Sequence, residues 1–275
     1  MKQEMANHLV EEIIGKKGLE FNLDKCMYIL MGNKKARKTL KSQLENNPLT
    51  LCNKSMKEVK VLKYLGENLS YNLEESVHQT VVKRVAIAKH AVFEIRSVIE
   101  DTRSEVMGSV NVAFMIWETA IIPMLLFNSE CLVRMGKKTL KILDDLFHTF
   151  CRAIFRVGTG CPIPSYYWES ASLKMSNLIL QRQLNFVHHL ANLEDGSLAK
   201  IIFDEQVQKA EPGLYQICQE HLTSMGIFDL KAISKVHFKK AAKKYIFELN
   251  KSQLLSDIMK YKKLSYDQLS QEKFE

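Results

Sequence analysis

The longest regular feature of the chain is an apolar stripe. Val77, Val81, Val85, Ala88, Val92, Ile95 and Ile99 recur at spacings of 4, 4, 3, 4, 3 and 4, the pattern of one face of an α-helix. The other faces carry Lys83, Arg84, Lys89, His90 and Arg96. Leu140, Leu143, Phe147, Phe150, Ile154 and Val157 form a second stripe, stopped by Gly158-Thr159-Gly160. Between the two lies Val110–Phe127, apolar almost all round but interrupted by Asn111, Glu118 and Pro123. A carboxylate in mid-span costs about 2.5–3.5 kcal/mol on insertion, so this segment is predicted as a buried helix of a soluble core and not as a membrane span. Further helices are predicted over 176–193, 198–209 and 214–225, followed by a long lysine-rich one from about Ile233. Cys161-Pro162-Ile163-Pro164 reads as a rigid extended connector.

The opening of the chain has a different texture. A short helix is predicted over 6–17, then turn chemistry at Asn22-Leu23-Asp24 and a β-type apolar run to Met31. Residues 36–46 read as helical and are broken by Asn46-Asn47-Pro48. Val59–Leu69 alternates well enough for a hairpin turning near Gly66-Glu67-Asn68. The expected fold class is therefore α+β, predominantly α-helical: a small N-terminal α/β piece with a hairpin, followed by an all-α body. No internal repeat or low-complexity tract interrupts it.

Composition sharpens this picture only in places. Of 275 residues, 46% are hydrophobic and 25% charged, so the chain can bury a core and is not intrinsically disordered. Eleven Gly and five Pro over that length favour long helices. The six cysteines never form Cys-x-x-Cys or a Cys/His cluster at ligand spacing, which points to reduced thiols in an intracellular protein, cytoplasmic or nuclear. The start, MKQEMANHLVEE, has the pattern of neither a signal nor a transit peptide.

The net charge of +8 is concentrated. Lys34, Lys35, Arg37, Lys38 and Lys41 give five cations in eight residues, and Lys231, Lys235, Lys239, Lys240, Lys243 and Lys244 give six in fourteen. Two readings fit such clusters: a solvated helix face, or a surface that neutralises phosphates. Asp144-Asp145 invites comparison with paired metal-binding aspartates. It falls inside a heptad-patterned helix, where both side chains are expected on the polar, solvated face. His188-His189 are adjacent on a helix and cannot chelate together. His-Glu-x-x-His, Gly-x-Ser-x-Gly and a Walker loop are absent from the sequence.

Five segments, in order, carry a resemblance. They are Gly18-Leu19-Glu20-Phe21-Asn22-Leu23-Asp24-Lys25; Val61-Leu62-Lys63-Tyr64-Leu65-Gly66; Ile122-Pro123-Met124-Leu125-Leu126-Phe127-Asn128-Ser129-Glu130; Asp145 through Arg152 to Ile154-Phe155; and Trp168-Glu169 with Gln181-Arg182-Gln183 and Phe186-Val187-His188-His189-Leu190. Together they resemble the C-terminal half of the non-LTR (LINE-type) retrotransposon reverse transcriptases, from polymerase motif D through the primer grip and thumb. The resemblance spans residues 18 to 190 and thins beyond about Phe203. It implies that residues 1–70 are the end of a reverse-transcriptase palm, 71–160 thumb-like helices and 161–275 a C-terminal helical region. In that family Lys25 would approach the leaving pyrophosphate, and Lys63, Tyr64 and Gly66 would hold the primer backbone. Lys83, Arg84 and Lys89 would face duplex from the thumb, with Lys34, Lys35, Arg37 and Lys38 adding phosphate contacts. The implied partner is an RNA/DNA primer–template.

The departures from the family matter as much. Its polymerases seat two Mg²⁺ on aspartates of a Tyr-x-Asp-Asp hairpin upstream of motif D, and this sequence contains no Tyr-x-Asp-Asp. The expectation is a truncated fragment without the palm and fingers portion of the same element. It would hold no cofactor of its own (Mg²⁺ belongs to the full-length parent family), bind primer–template at most and not polymerise. An alternative is a helical protein–protein interaction scaffold without nucleic-acid function. Palm strands separated from their central sheet would leave an unpaired edge, making residues 1–70 the least stable part.

Overall fold

The computed structural model describes residues 12, 15–18, 20–52, 54–64, 67–101, 106–131, 135–158, 160–209 and 213–261. It is predominantly helical with a few short strands. The chain divides into two compact units, residues 1–80 and 81–275, with the boundary inside one long helix. Most of the helix expected over 6–17 lies outside the described residues, as does Gly66. No helix among the described residues is long and apolar enough to cross a membrane.

In the first unit a 3₁₀ turn, Leu23–Lys25, leads into β1 (Met27–Tyr28), then α1 (Lys34–Asn46). Asn33 caps α1, its side-chain oxygen accepting from the Ala36 N–H at 2.8 Å. Four short strands follow, β2 (Thr50–Leu51), β3 (Lys54–Ser55), β4 (Lys57–Glu58) and β5 (Val61–Tyr64), then β6 (Glu67–Ser70). They pair two by two: β1 parallel to β4, β2 antiparallel to β3, and β5 with β6 in the expected hairpin, whose register places Tyr64 opposite Glu67. Glu67 and Asn68, expected at the turn, are instead paired in β6.

Among the described residues this unit buries few apolar side chains, Leu51 and Val77 each at 8% exposure. So thin a core leaves little to hold residues 20–70 closed. Their backbone amides are expected to exchange hydrogen faster than those of the helices beyond residue 81. Equal protection in a native-state exchange experiment would contradict this.

The second unit continues α2 (Leu73–Asp101) and adds α3 (Val106–Ile116), a π turn (Trp117–Ile121), α4 (Ile122–Leu125), a 3₁₀ turn (Ser129–Cys131), α5 (Lys137–Phe155), α6 (Ile163–Glu169), α7 (Met175–Ala191), α8 (Leu198–Gln208), α9 (Leu214–Ser224) and α10 (Lys235–Met259). The stripe on α2 is buried as its spacing predicts, at Val81, Val85, Ala88, Val92 and Ile95.

Two expectations are corrected here, and a third is refined. The apolar segment over 110–127 is not one regular helix, because Pro123 has no N–H and its ring crowds the preceding turn. The chain responds with the π turn, in which the Ile122 N–H reaches back to the Trp117 carbonyl. Ala113, Trp117, Ile121 and Leu125, each four residues apart, are all buried. The supposed connector at Cys161–Pro164 is also partly helical. Pro162 stays extended, but α6 begins at Ile163 with Pro164 in its first turn, where a missing N–H costs nothing. Finally, α5 stops at Phe155 because Arg156 adopts a left-handed conformation, φ 56°. Val157 is thus left exposed beyond the stripe.

The core of this unit has an aromatic part and an aliphatic part. Trp117 stacks on Phe150 at 4.5 Å, and Phe147 stacks on Tyr167 at 4.7 Å, joining the π turn, α5 and α6. The second part, with Leu184, Val187, Cys218, Phe238 and Ile246, gathers α7 to α10. A buried polar clamp ties α10 to the start of α7. The Asn250 amide oxygen accepts from the Lys174 N–H at 3.0 Å and from Asn177 Nδ2 at 2.9 Å. Its own Nδ2 donates to the Ser172 carbonyl at 3.3 Å. This gives α7, which has no capping side chain of its own, a cap supplied by another helix.

Candidate nucleic-acid interface

The cations singled out in the sequence fall into three groups. On α1, Lys34, Lys35 and Lys38 are exposed and have no ion-pair partner among the described residues. They occupy the first turns of a helix that carries no acid there, against the preference set by the positive end of the helix dipole. Arg37 differs: its guanidinium lies 3.7 Å from the centroid of the Tyr71 ring, and its Nε is buried without a hydrogen bond. It anchors α1 within its unit. Lys41 stands 3.9 Å from Glu58.

In the same unit Lys25 is exposed at the end of its 3₁₀ turn, and Lys63 is exposed on β5 opposite Asn68. Tyr64 is placed by its backbone pairing with Glu67, and Gly66 falls outside the described residues.

In the second unit Lys83 and Lys89 are exposed on α2, each one turn before an exposed apolar residue, Ile87 at 61% and Phe93 at 66%. Arg84 is engaged inside the fold. Its Nη1 donates to the Phe127 carbonyl at 2.6 Å and the Leu125 carbonyl at 3.4 Å, just past α4. Arg182 of α7 donates to the Leu126 carbonyl at 2.9 Å and lies 4.0 Å from Glu130. Two guanidinium groups thus close the carbonyl end of α4. Arg182 also joins segments 122–130 and 181–183, far apart in sequence.

The aspartate pair separates. Asp145 is exposed, but Asp144 is half-buried and accepts the Tyr167 hydroxyl at 2.6 Å, so the expectation that both lie on a solvated face is corrected. Burial raises the Asp144 carboxyl, partly offset by the hydrogen bonds from Tyr167 and the Met175 backbone N–H. With its oxygens already committed it does not fit a shared divalent site. Among the described residues no group of three His, Cys, Asp or Glu side chains could hold a metal ion. His188 is a structural group, its Nε2 donating to the Ile233 carbonyl at 2.9 Å and its ring stacked on Phe238 at 4.4 Å.

Sequence patterns missed His148, next to the stripe of α5. It is 6% exposed, and its Nε2 is buried with no partner. Burial pushes its pKa down from 6.5 to about 4. A histidine held neutral in the fold and free to protonate when unfolded stabilises fully above pH 6.5, and that contribution is lost as pH falls from 6.5 to 4. The expected loss across that window is about 3 kcal/mol. Urea unfolding of wild type and His148→Gln at several pH values checks it: the variant should be less stable at neutral pH and should lose less on acidification. Parallel pH profiles would show that His148 does not titrate in this way.

Compared with protein-family models, curated proteins and solved structures, the chain matches none.

Proposed function

We propose that this chain is the motif D, primer-grip and thumb portion of a non-LTR retrotransposon reverse transcriptase, and that it binds primer–template duplex through its exposed cations. The observation that carries this is the order of the five resembling segments along residues 18–190. It is supported by Arg182, which links two of them through the Leu126 carbonyl and Glu130. Lys34, Lys35 and Lys38 on α1, and Lys83 and Lys89 on α2, are the groups free to meet phosphates. Such contacts position a duplex and read no sequence, and each releases condensed counterions. Polymerisation needs a pair of metal-binding carboxylates that this sequence does not supply in the family's motif, so the activity proposed for the chain is binding. Lys25 would assist a leaving group only beside such metals.

Fluorescence anisotropy with a short RNA–DNA hybrid tests the proposal across a salt series. Affinity should fall steeply and linearly on a log–log plot. Affinity that hardly changes between low and physiological ionic strength would overturn it. A second reading has its own observation: Phe93, Leu198 and Phe228 are exposed at 66%, 73% and 83%. A well-behaved oligomer with no affinity for the hybrid would favour the helical interaction scaffold.

A further inference from the structure

Helix α8 is apolar on both sides. Phe203, 5% exposed, and the half-buried Val207 pack into the core that gathers α7 to α10. Lys200, on the same inward side, is buried, and its ammonium pairs with Asp204 one turn on. Leu198, Ile201 and Ile202, spaced as i, i+3 and i+4, form the opposite side and are exposed to 73%, 51% and 46%. A helix that is apolar all round is ordinarily covered all round. The segment between α9 and α10 repeats the arrangement: Ile227 and Leu230 pack inward on the same core, and Phe228 between them is 83% exposed. Two contacts bring that segment beside the start of α8. Asn192 Nδ2 donates to the Leu230 carbonyl at 3.1 Å, and the Lys231 ammonium donates to Asp195 at 3.4 Å. Leu198 and Phe228 each stand three residues from that ion pair.

The charges beside the two halves of this face are opposite. Residues 194–209 carry four carboxylates and two lysines, whereas residues 229–244 carry six lysines and one carboxylate. An apolar centre with an acidic border from one segment and a basic border from the other is complementary to itself. A two-fold rotation lays the acidic border of one copy on the basic border of the next. A partner of a single sign would meet repulsion along one border. We propose that this face pairs with the same face of a second copy of this chain. Leu198, Ile201, Ile202 and Phe228 form the dry centre, and Glu194 and Glu205 of each copy meet Lys235 and Lys239 of the other. The pairing uses none of the lysines assigned above to duplex, so it goes beyond that reading and does not rest on it.

Sedimentation velocity of the full chain over a concentration series tests it. Wild type should reach the dimer mass with an affinity in the micromolar range or tighter. Ile201→Ser with Phe228→Ser should leave a monomer. Phe93→Ser, which removes a side chain exposed to 66% on α2, should change nothing. Reversal of the acidic border (Glu194→Lys with Glu205→Lys) and of the basic border (Lys235→Glu with Lys239→Glu) should each weaken self-association about tenfold or more. All of these side chains are exposed, so the substitutions leave the core intact. An equimolar mixture of the two reversed variants should restore the dimer, because each border again meets its opposite. Misfolded variants would not recover on mixing. A monomeric wild type would overturn the proposal and leave the face to a different protein. Dissociation of Phe93→Ser, or a mixture that stays monomeric, would overturn it too. Failure of the RNA–DNA hybrid to bind would leave these measurements unaffected.

Discussion

Asn250→Ala is expected to destabilise the chain by about 3–5 kcal/mol, a large share of what a domain of ordinary stability possesses. The reason is what the substitution leaves behind. Asn250 is 0% exposed, and its amide serves the Lys174 N–H, Asn177 Nδ2 and the Ser172 carbonyl. Alanine serves none of them. Asn177 keeps a bond to Gln253 at 3.1 Å, but the Lys174 N–H and the Ser172 carbonyl lose the partner that the clamp supplies. Each buried polar group left unpaired costs about 1–3 kcal/mol, and the vacated volume adds to this. Asn250→Leu should not rescue stability, because volume is not what the site lacks. Urea unfolding gives the number. A double-mutant cycle with Asn177→Ala should return a coupling above about 1 kcal/mol. A loss below 1 kcal/mol for Asn250→Ala would mean that the start of α7 does not need this cap.

Reversing Lys34, Lys35 and Lys38 to glutamate should weaken RNA–DNA hybrid binding by about a hundredfold or more near physiological salt. Each phosphate contact contributes about −0.9 to the slope of log affinity against log salt for a B-form duplex, so removing three should flatten it by roughly 2 to 3. The three side chains are exposed, so the melting temperature should hardly change. Arg84→Ala provides the opposite pattern. That guanidinium serves the Leu125 and Phe127 carbonyls, so its loss should lower stability by about 1–3 kcal/mol while the salt slope stays as in wild type. An unchanged slope in the lysine variant would remove α1 from the interface. A flattened slope in Arg84→Ala would return Arg84 to it.

The contrast between Arg84 and Lys83 shows where a sequence stops speaking. Both are cations off the apolar stripe of α2, and a pattern of periods treats them alike. Only the fold reveals that one of them meets the end of α4. The long helices were legible because their buried faces repeat at a period near 3.6. The same logic misjudged α5, where a second buried row, Asp144, His148 and Cys151, runs beside the first. Its polar members disguised it as a solvated face, although the spacings of 4 and 3 match those of a buried row. Asn250 was hidden similarly, on a helix whose lysines dominate its appearance. Its buried row, Phe238, Ala242, Ile246, Asn250, Leu254 and Ile258, keeps an unbroken spacing of four. The short strands were illegible for a different reason: the parallel pairing of Met27 with Lys57 is a non-local event that neither segment announces. For the candidate site, the clusters of charge were visible from the sequence, whereas which charges remain free was not.

The π turn over Trp117–Ile121 has a consequence for how this helix tolerates changes of length. A π turn accommodates one residue more than an α turn, so it behaves as an insertion stored within a helix. The buried positions Ala113, Trp117, Ile121 and Leu125 are spaced by four throughout, whereas Glu118, Thr119 and Ala120 between them are exposed. Deleting any one of those three changes the spacings to 4, 3 and 4, the ordinary rhythm of an amphipathic helix, and keeps all four apolar side chains on one face. A single-residue deletion, which elsewhere in a helix would rotate everything beyond it by about 100°, should here keep the buried face in register, at the cost of seating Pro123 in an ordinary α turn. Deletion of a residue outside 118–120, by contrast, should turn Leu125 or Ala113 away from the buried face.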